Sequence, residues 1–334
     1  MPEAGYRLDR LWLRSLRTVD LSLASAVDPL RLAASFPQAL AILARWRPRV
    51  IFTTGGYMAI PVLAAAAALR VPSVLWEGNL VPGRSVRATA RLASVICVSF
   101  GETCEQLPGR CYVTGTPIRS FARTSPEAAR AHLGIPDGLP CLLVFGGSQA
   151  VRRLNSAVAE ALPEVLPRAA VVHVTGRSAY ADALRRREAL PAELRPRYRP
   201  FAFLGDEMTQ ALRAADLLVG RAGSSTLAEA SALGLPMVVV PYPHAGAHQA
   251  ANARRLEGAG AARIVPDAEF DAAALVAAAQ LLHDAERLDA MRAAARSFGR
   301  AGAAQAVAEL VLALAERSEL PSAEVVERAS RAAV

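Results

Sequence analysis

The stretch LLVFGGSQAVRRLN, Leu142–Asn155, joins a β-rich apolar run to two glycines and then to a helical pattern. Such a strand–turn–helix unit typically holds phosphate, because glycines let the backbone approach a ligand and the first helix amides face it. The spacing is neither G-x-G-x-x-G nor that of a P-loop. Ser148 adds a hydroxyl that can bind an anion or cap the helix, and Gln149 follows it. The stretch predicts an anion-binding turn, with a simple connection between two elements as the alternative.

Short β-rich runs alternate with helical stretches on both sides of this turn, from about residue 49 onward. Apolar strands separated by helices predict parallel sheets covered by helices on both faces. Proline and polar residues over 120–139 are typical of a linker. We therefore predict an α/β fold with two Rossmann-like domains facing a cleft. The predicted boundaries are 1–119 for the first domain, 140–315 for the second and 316–334 for a C-terminal tail.

The composition of the 334 residues, 53% hydrophobic and 20% charged, is that of a globular protein. A net charge of +8 permits attraction to anionic lipid or to phosphate-bearing substrates. No run of basic and aromatic residues indicates a nucleic-acid module, so nucleic acid is not predicted as a partner. No apolar run approaches the roughly 20 residues that span a bilayer, which predicts a cytosolic or peripheral protein. The four cysteines lack zinc-ligand spacing and are interpreted as buried reduced thiols: Cys97, Cys104, Cys111 and Cys141.

The N-terminal stretch YRLDRLWLRSLRTV, residues 6–19, carries arginines at helical spacing with apolar residues among them. One interpretation is a basic amphipathic segment at an anionic membrane surface. The other is an ordinary solvated helix or loop of the first domain. The arginines concerned are Arg7, Arg10, Arg14 and Arg17.

A second cluster, GRAGSSTLAEASALGLP over Gly220–Pro236, again places small residues between a strand and a helix. Ser224, Ser225 and Thr226 lie at the predicted helix start, and Glu229 follows one turn later. The helix start can face phosphate while a carboxylate accepts both hydroxyls of a ribose. The alternative is that a serine caps the helix and Glu229 is a solvated acid.

A third cluster, PYPHAGAHQAANARRLEGAG over Pro241–Gly260, contains two histidines four residues apart. His244 and His248 lack a third ligand, so no metal site is predicted. Gln249, at the start of a helix, better suits contacts to hydroxyl and phosphate groups. Leu204, in FLGDEM after another strand, can pack on a flat base. All these clusters follow strands, where open parallel sheets bind ligands, and together they suit uracil, ribose and diphosphate.

The chain resembles the MurG family of bacterial glycosyltransferases of peptidoglycan synthesis. The resemblance is recognised from about Arg47 to the C-terminal helices. It rests on RPRVIFTTGGYMAIPVLAAAAALRVPSVLWEGNLVPG, VTGTPIR, GGSQ with RRLN, AADLLVGRAGSSTLAEASALGLPMVVVPYP and HQAANA.

This resemblance implies a GT-B fold and a hexosyltransferase that moves GlcNAc from UDP-GlcNAc to the MurNAc 4-hydroxyl of lipid I. The products are lipid II and UDP, with inversion at the anomeric carbon and no cofactor or bound metal. It also implies a role in cell wall biogenesis, cell shape and cell division. The implied location is the cytoplasmic face of the bacterial inner membrane, held peripherally at its anionic surface.

Positions carried over from the family would bind the donor sugar nucleotide. They are Asn79, Arg119, Ser148, Gln149, Leu204, Ser224, Ser225, Thr226, Glu229 and Gln249.

The first domain departs from the family pattern, because the family's opening strand and its glycine-rich loop ending in histidine are missing. We therefore expect a first domain truncated at its N-terminus, through a late start or a real loss. The catalytic residue is unknown, with Glu77 the nearby carboxylate that could act as a base. Trp76 and Thr116 stand where the family has histidine and asparagine. The alternatives are a UDP-sugar-binding relative with impaired catalysis and another GT-B enzyme, such as a UDP-GlcNAc epimerase.

Overall fold

The computed structural model describes residues 5–13, 28–119, 124–146, 152–243 and 248–332. The chain forms two compact units. The first comprises Met1–Pro117 and Gly302–Ser330, and the second comprises Ile118–Ala301 and Arg331–Val334. Each unit is built on a parallel sheet with helices packed on it, so the predicted α/β fold of two Rossmann-like domains is confirmed.

The first unit is built on a four-stranded parallel sheet in the order β1–β2–β3–β4. Leu63 and Val86 from two helices pack on Leu75 and Ile96 of one face of this sheet. Its elements to this point are α1 (Asp28–Trp46), β1 (Ile51–Thr53), α2 (Ala59–Ala68), β2 (Ser73–Glu77), α3 (Arg84–Thr89), β3 (Val95–Val98) and β4 (Cys111–Val113).

The second unit is built on a six-stranded parallel sheet in the order β10–β9–β8–β5–β6–β7. Its elements are α4 (Pro126–Leu133), β5 (Cys141–Phe145), α5 (Arg152–Val165), β6 (Ala170–Val174), α6 (Tyr180–Ala189), β7 (Tyr198–Phe201), α7 (Met208–Ala214), β8 (Leu217–Gly220), α8 (Ser224–Leu233), β9 (Met237–Val239), α9 (His248–Glu257), β10 (Ala262–Ile264), α10 (Ala272–Gln280) and α11 (Ala285–Phe298).

The central position of β5 creates a topological switch point in this second sheet. The chain builds outward from β5 through β6 to β7, then returns to β5's other side and continues through β8, β9 and β10. This is the strand order of a dinucleotide-binding fold, whose ligand crevice lies between the first and fourth strands. Here those strands are β5 and β8. They approach so closely that a Cβ added to Gly220 would lie 2.7 Å from the carbonyl oxygen of Phe145.

The last two helices, α12 (Ala303–Glu316) and α13 (Ala323–Arg331), pack on the first sheet's other face. Leu310 and Val326 bury their side chains against Val74 and Tyr112. The observed grouping therefore differs from the sequence-based boundaries, which placed 140–315 in the second domain and 316–334 in a tail. The apolar stripe of α12 marks a core helix, but a stripe does not say which core it joins.

By length and composition alone, the stretch Ala285–Glu316 is long and apolar enough to span a membrane, with a mean hydropathy of 1.3 over 18 residues. The stretch is two helices, because α11 ends at Phe298 and α12 begins at Ala303. Both helices bury apolar side chains, so we interpret the stretch as two core helices.

The segment predicted as a linker over 120–139 contains α4. Ser125 caps this helix by accepting a hydrogen bond from the Ala128 amide, and Pro126 occupies the first position. Gly134 ends it in the left-handed conformation at φ +65°. These local signals of a helix are short, and the flanking prolines and polar residues obscured them.

The prediction of four reduced thiols is wrong for two of the cysteines. Cys104 and Cys111 form a disulfide that links the short 3-10 helix Gly101–Gln106 to the start of β4. Cys97 and Cys141 are free and buried, as predicted, and burial raises the pKa of each thiol to about 12. The sequence spacing of seven residues does not show that a helix and a strand bring the two sulfurs together.

Thiol titration tests these assignments. Without reductant, we expect two reactive thiols per chain in denaturant and almost none in the native protein, because a buried thiol with a raised pKa holds little thiolate. Reduction before denaturation raises the count to four. Four reactive thiols in unreduced, denatured protein would contradict the disulfide.

Candidate functional site

The candidate site lies at the carboxyl edge of the second sheet, around the switch point. β5 leads to Gly146, and α5 begins at Arg152. The intervening residues 147–151, which include Ser148 and Gln149, lie outside the described residues. Their predicted role in anion binding stays a prediction, supported by their place between the first strand and first helix of the sheet.

The start of α8 is the second part of the site. The helix begins at Ser224, and its N-cap, Gly223, has an extended backbone without a capping side chain. The alternative of a serine cap is therefore not what the structure shows. Ser224, Ser225 and Thr226 form the first turn, and Ser225 is exposed. The amides of this turn are left to face an anion at the end of β8.

Glu229 lies further along α8 and is the best-defined side chain of the site. Only 8% of the residue is exposed. Arg119 donates from Nε to Glu229 Oε1 at 3.2 Å, and from Nη1 to the Gly205 carbonyl oxygen at 2.9 Å. The structure thus brings together Arg119, Glu229 and the turn after β7. Arg119, which the sequence-based boundary assigned to the first domain, belongs to the second unit.

Burial and charge act in opposite directions on Glu229. Burial raises the pKa of its carboxyl group, and the Arg119 guanidinium lowers it by a smaller amount, so that the net shift is upward. A carboxylate kept buried at a cost to stability is typical of a functional site.

Leu204 and Phe203 occupy the turn after β7 in different ways. Leu204, the predicted contact for a base, is buried, whereas Phe203 is exposed. Phe203 therefore offers the larger apolar surface beside Gly205. The role of Leu204 at the base stays a prediction.

Gln249 holds the segment that follows β9. Its side-chain oxygen accepts a hydrogen bond from the Tyr242 amide at 2.9 Å. Gln249 is thus tied to the carboxyl edge of the sheet from the first turn of α9. His244 lies outside the described residues, and within the described ranges no group of three or more potential metal ligands occurs.

Sequence reasoning missed a charged cluster beside the switch point. Arg221 follows β8 directly and is buried, with Nη1 2.5 Å from Asp267 Oδ1 and 3.1 Å from the Val240 carbonyl oxygen. Arg153, in the first turn of α5, places Nε 3.6 Å from the other oxygen of Asp267. One carboxylate therefore joins the ends of β8 and β9 to the start of α5. The sequence feature that could have indicated this cluster is Arg221, a charged residue directly after an apolar strand.

A second cluster holds the start of α5 from the other side. Asn155 donates to the Thr175 carbonyl oxygen at 2.9 Å and contacts His173 Nε2 at 2.9 Å. His173 Nδ1 lies 2.9 Å from the hydroxyl of Tyr198. Burial lowers the pKa of His173 to about 3, so the ring is neutral and its nitrogens serve as one donor and one acceptor. The sequence offered only a histidine within an apolar strand.

In the first unit, Glu77 and Asn79 form a separate loop structure. Glu77 ends β2 and is buried, and its two oxygens accept from three groups: the Asn79 amide, the Asn79 side chain and the Gly83 amide. Thr103 donates to the carbonyl oxygens of Asn79 and Leu80. This arrangement favours a loop-holding role for Glu77, and its assignment as a base stays a prediction.

Comparisons with family models and with known proteins all indicate the same family. The glycosyltransferase family 28 C-terminal domain matches residues 141–310, and the N-terminal domain of the same family matches residues 3–98. The UDP-N-acetylglucosamine--N-acetylmuramyl-(pentapeptide) pyrophosphoryl-undecaprenol N-acetylglucosamine transferase of Chlorobium limicola is 36% identical over 329 residues, covering 95% of this chain and 87% of its own length. The chain belongs to the MurG branch of glycosyltransferase family 28.

Two further relatives of this MurG branch agree. The transferase of the same name from Moorella thermoacetica is 39% identical over 284 residues, covering 81% of this chain and 76% of its own length. The crystal structure of Acinetobacter baumannii MurG superposes with a TM-score of 0.69 at 26% identity, covering 85% of this chain and 79% of that one. These relatives support the prediction of a glycosyltransferase and give no support to the alternative of an epimerase.

The family match also corrects the extent of the resemblance. Sequence reasoning recognised it from about Arg47, whereas the family 28 N-terminal domain matches from residue 3. The opening stretch therefore belongs to the family's N-terminal domain. Sequence reasoning did not recognise this stretch because few of its residues belong to a family motif that can be identified in a single sequence.

Two departures from the MurG motifs contact neighbouring loops of the first unit. Trp76, at the family's histidine position, donates from its indole nitrogen to the Gly115 carbonyl oxygen at 2.9 Å. Thr116, at the family's asparagine position, is buried, and its hydroxyl lies 2.8 Å from that of Ser99. Both substitutions are thus hydrogen-bonded within the fold.

The raised pKa of Glu229 predicts an unusual pH dependence. Because the folded pKa exceeds the unfolded one, protonation favours the folded state, and this contribution is lost as pH rises through the folded pKa. Glu229→Gln should therefore unfold with a free energy equal to or above that of the wild type at pH 7 to 8. The difference should shrink as pH falls toward 4.5.

Urea unfolding between pH 4 and 8 measures this difference. Glu188→Gln, at an exposed acid on α6, provides the matched control. A Glu229→Gln variant that is least stable, relative to wild type, at high pH would contradict the direction of the shift.

Proposed function

We propose that this chain transfers GlcNAc from UDP-GlcNAc to the MurNAc 4-hydroxyl of lipid I, giving lipid II and UDP. The observation that carries the proposal is the switch-point site of a MurG-branch chain, where Glu229 and Arg119 lie beside the uncapped start of α8. The activity is the one named for the relatives.

The donor would lie across the carboxyl ends of β5 and β8. The amides of Ser224 to Thr226 and the turn around Ser148 and Gln149 would bind the diphosphate. Glu229 would accept the ribose hydroxyls, and the turn holding Leu204 would contact uracil. Gln249 would fix the segment after β9 beside the sugar. These roles divide one ligand among residues from four loops at one sheet edge.

Arg119 would balance charge during the reaction. Two of its nitrogens contact Glu229 and Gly205, and within the described residues its third nitrogen, Nη2, makes no recorded contact. That nitrogen is available to the diphosphate, whose negative charge grows as UDP leaves. A guanidinium and helix amides stabilise a leaving diphosphate without requiring a metal.

The acceptor would bind to the first unit, and the family resemblance assigns Asn79 of that unit to substrate binding. The 4-hydroxyl attacks the anomeric carbon as the bond to UDP breaks, so the configuration inverts. Deprotonation of that hydroxyl needs a base. Glu77 is the weak candidate for this role, since three donors already engage its oxygens.

The residues 5–13 suggest where an anionic membrane would contact the first unit. This segment is not helical in the described residues, so the helical spacing of its arginines does not place them on one helix face there, and Arg14 and Arg17 lie outside the described residues. The interpretation of a basic amphipathic segment at a membrane surface stays a prediction. The segment runs along α1: Asp9 accepts from Arg45 and Trp46, both at 2.7 Å, and the Trp12 amide donates to Gln38 at 2.8 Å.

Apolar rings and arginines share the surface formed by this segment and α1. Trp12 is 55% exposed and Leu30 is 65% exposed. The guanidinium of Arg31 lies 5.7 Å from the Trp12 ring, and that of Arg7 lies 5.2 Å from the Trp46 ring. Tryptophan beside arginine suits the headgroup region of an anionic leaflet. We propose peripheral binding here, at the cytoplasmic face of the inner membrane, as the means of reaching lipid I.

Donor binding tests the site. Calorimetry with UDP should show about tenfold weaker binding for Glu229→Ala, because a charged acceptor of two hydroxyls is lost, and a smaller loss of about threefold for Ser148→Ala. Glu188→Ala is the matched control. Unchanged UDP affinity in both site variants would refute the site assignment.

A coupled assay with UDP-GlcNAc and lipid I distinguishes the three functional hypotheses: an active transferase, a catalytically impaired relative and an epimerase. UDP release that needs lipid I, with lipid II detected by mass, is the expected outcome. Binding of UDP without release would indicate the catalytically impaired relative. Conversion of UDP-GlcNAc into an isomeric UDP-sugar without an acceptor would indicate epimerase chemistry.

Vesicle co-sedimentation tests the membrane surface. Leu30→Glu combined with Trp12→Glu should reduce binding to phosphatidylglycerol vesicles about tenfold or more, because two apolar contacts are lost and two negative charges added. Leu312→Glu is the control, since this residue is 56% exposed on α12, which packs on the opposite face of the same sheet. Equal losses for the variant and the control would exclude this surface.

A further inference from the structure

A second cavity lies at the opposite edge of the sheet, at the amino ends of β5, β8 and β9. Its volume is about 210 Å³, and Asp216 and Pro236, which precede β8 and β9, line it. This edge is a strand length away from the candidate donor site, so neither the donor nor the acceptor chemistry accounts for the cavity.

Four arginines and one carboxylate line this cavity. The carboxylate is that of Asp216, and the arginines are Arg130, Arg213, Arg292 and Arg296. Arg130 donates to Asp216 Oδ2 at 2.5 Å, and Arg292 lies 3.6 Å from Asp216 Oδ1. Two of the four guanidinium groups therefore share the one carboxylate of the lining.

The contacts of Arg130 and Arg292 are largely used within the protein. Arg130 also donates to the carbonyl oxygens of Leu139 and Ala214, both at 3.1 Å. Arg292 donates to Asp289, an exposed acid on the same helix, at 2.8 Å. These two arginines are thus structural, joining α4 and α11 to the start of the central strands.

Arg213 and Arg296 differ from this pair. Among the described residues, neither side chain has a recorded hydrogen bond or ion pair, and the Nε of Arg213 is buried without a partner. The stem of Arg296 lies over Gly234, where an added Cβ would come within 2.6 Å of it. Gly234 has φ +65° and ends α8, so the absence of a side chain there makes room for Arg296.

Helix dipoles explain part of this arrangement. Arg213 and Arg296 lie in the last turns of α7 and α11, where a cation is favourable. That preference accounts for arginine at each position. It does not account for a buried donor without an acceptor, which is costly unless an ion or water satisfies it.

We propose that this cavity is a binding site for a phosphate-bearing anion, held by Arg213 and Arg296. Guanidinium groups match the geometry of phosphate oxygens, and the positive charges of Arg213 and Arg296, which have no carboxylate partner among the described residues, favour a dianion. The volume is below that of pockets for drug-sized ligands, which limits the ligand to a phosphate group with a small substituent. The site goes beyond the proposed transferase reaction, and the phosphate can belong to a soluble ion or to a phospholipid headgroup.

Thermal unfolding with inorganic phosphate tests the site in the full-length chain. UDP is kept saturating so that phosphate does not act through the donor site, and chloride is matched for ionic strength. Wild-type protein should show a saturable rise in its midpoint. Arg213→Gln and Arg296→Gln should each raise the apparent phosphate dissociation constant about tenfold. Arg287→Gln is the control, because it removes the same charge from an exposed position of α11 that, unlike the exposed Arg296, does not line the cavity.

Vesicle binding then separates the two sources. If Arg213→Gln and Arg296→Gln weaken binding to phosphatidic acid vesicles while Arg287→Gln does not, the ligand is a headgroup. If vesicle binding is unchanged and the phosphate effect is lost, the ligand is a soluble anion. A phosphate effect that is absent, or equal in all three variants and the wild type, overturns the proposal.

Discussion

The close approach of β5 and β8 is the constraint on which the second unit depends. These strands lie side by side although two strands, β6 and β7, come between them in the chain. Gly220 permits the contact because it has no side chain to meet the Phe145 carbonyl oxygen. The helices after the two strands must then diverge to opposite faces of the sheet. The crevice left between them lies at the end of β5, next to Gly146, and at the start of α8. Ligand chemistry at this edge is thus a result of strand order.

Buried polar side chains keep that edge in place. Asp267 joins the ends of three segments through Arg221 and Arg153, and the neutral His173 joins Asn155 to Tyr198. Both clusters hold the first turn of α5, which follows the turn predicted to bind the diphosphate. Charge-assisted hydrogen bonds in a partly dry environment have strict geometry, so they fix a loop more firmly than apolar packing alone. Within the described residues, buried polar contacts therefore fix the start of α5 at this edge of the sheet.

The fold could be predicted from the sequence because strand periodicity and glycine turns are local properties. The predicted alternation of strands and helices from about residue 49 onward is the order that β1 to β10 and their helices follow, and the family motifs recognised in both halves agree with the relatives. Contacts between distant segments could not be predicted. The pairing of Arg119 with Glu229, the Asp267 cluster and the Cys104–Cys111 bond all join residues that only the tertiary fold brings together. Glu229 was found because it follows a helix start, whereas Asp267 belongs to no recognisable motif.

The return of α12 and α13 to the first sheet has a consequence for biosynthesis. Val74 and Tyr112 reach their final surroundings only when Leu310 and Val326 have left the ribosome, about 200 to 250 residues later. Until then, one apolar face of the first sheet stays open, while the second unit can close from contiguous chain. The first unit, although it is synthesised first, therefore completes its folding after the second unit. A nascent chain of this kind exposes a chaperone-binding surface near its beginning for most of its translation, and a premature stop near the end damages the N-terminal half first.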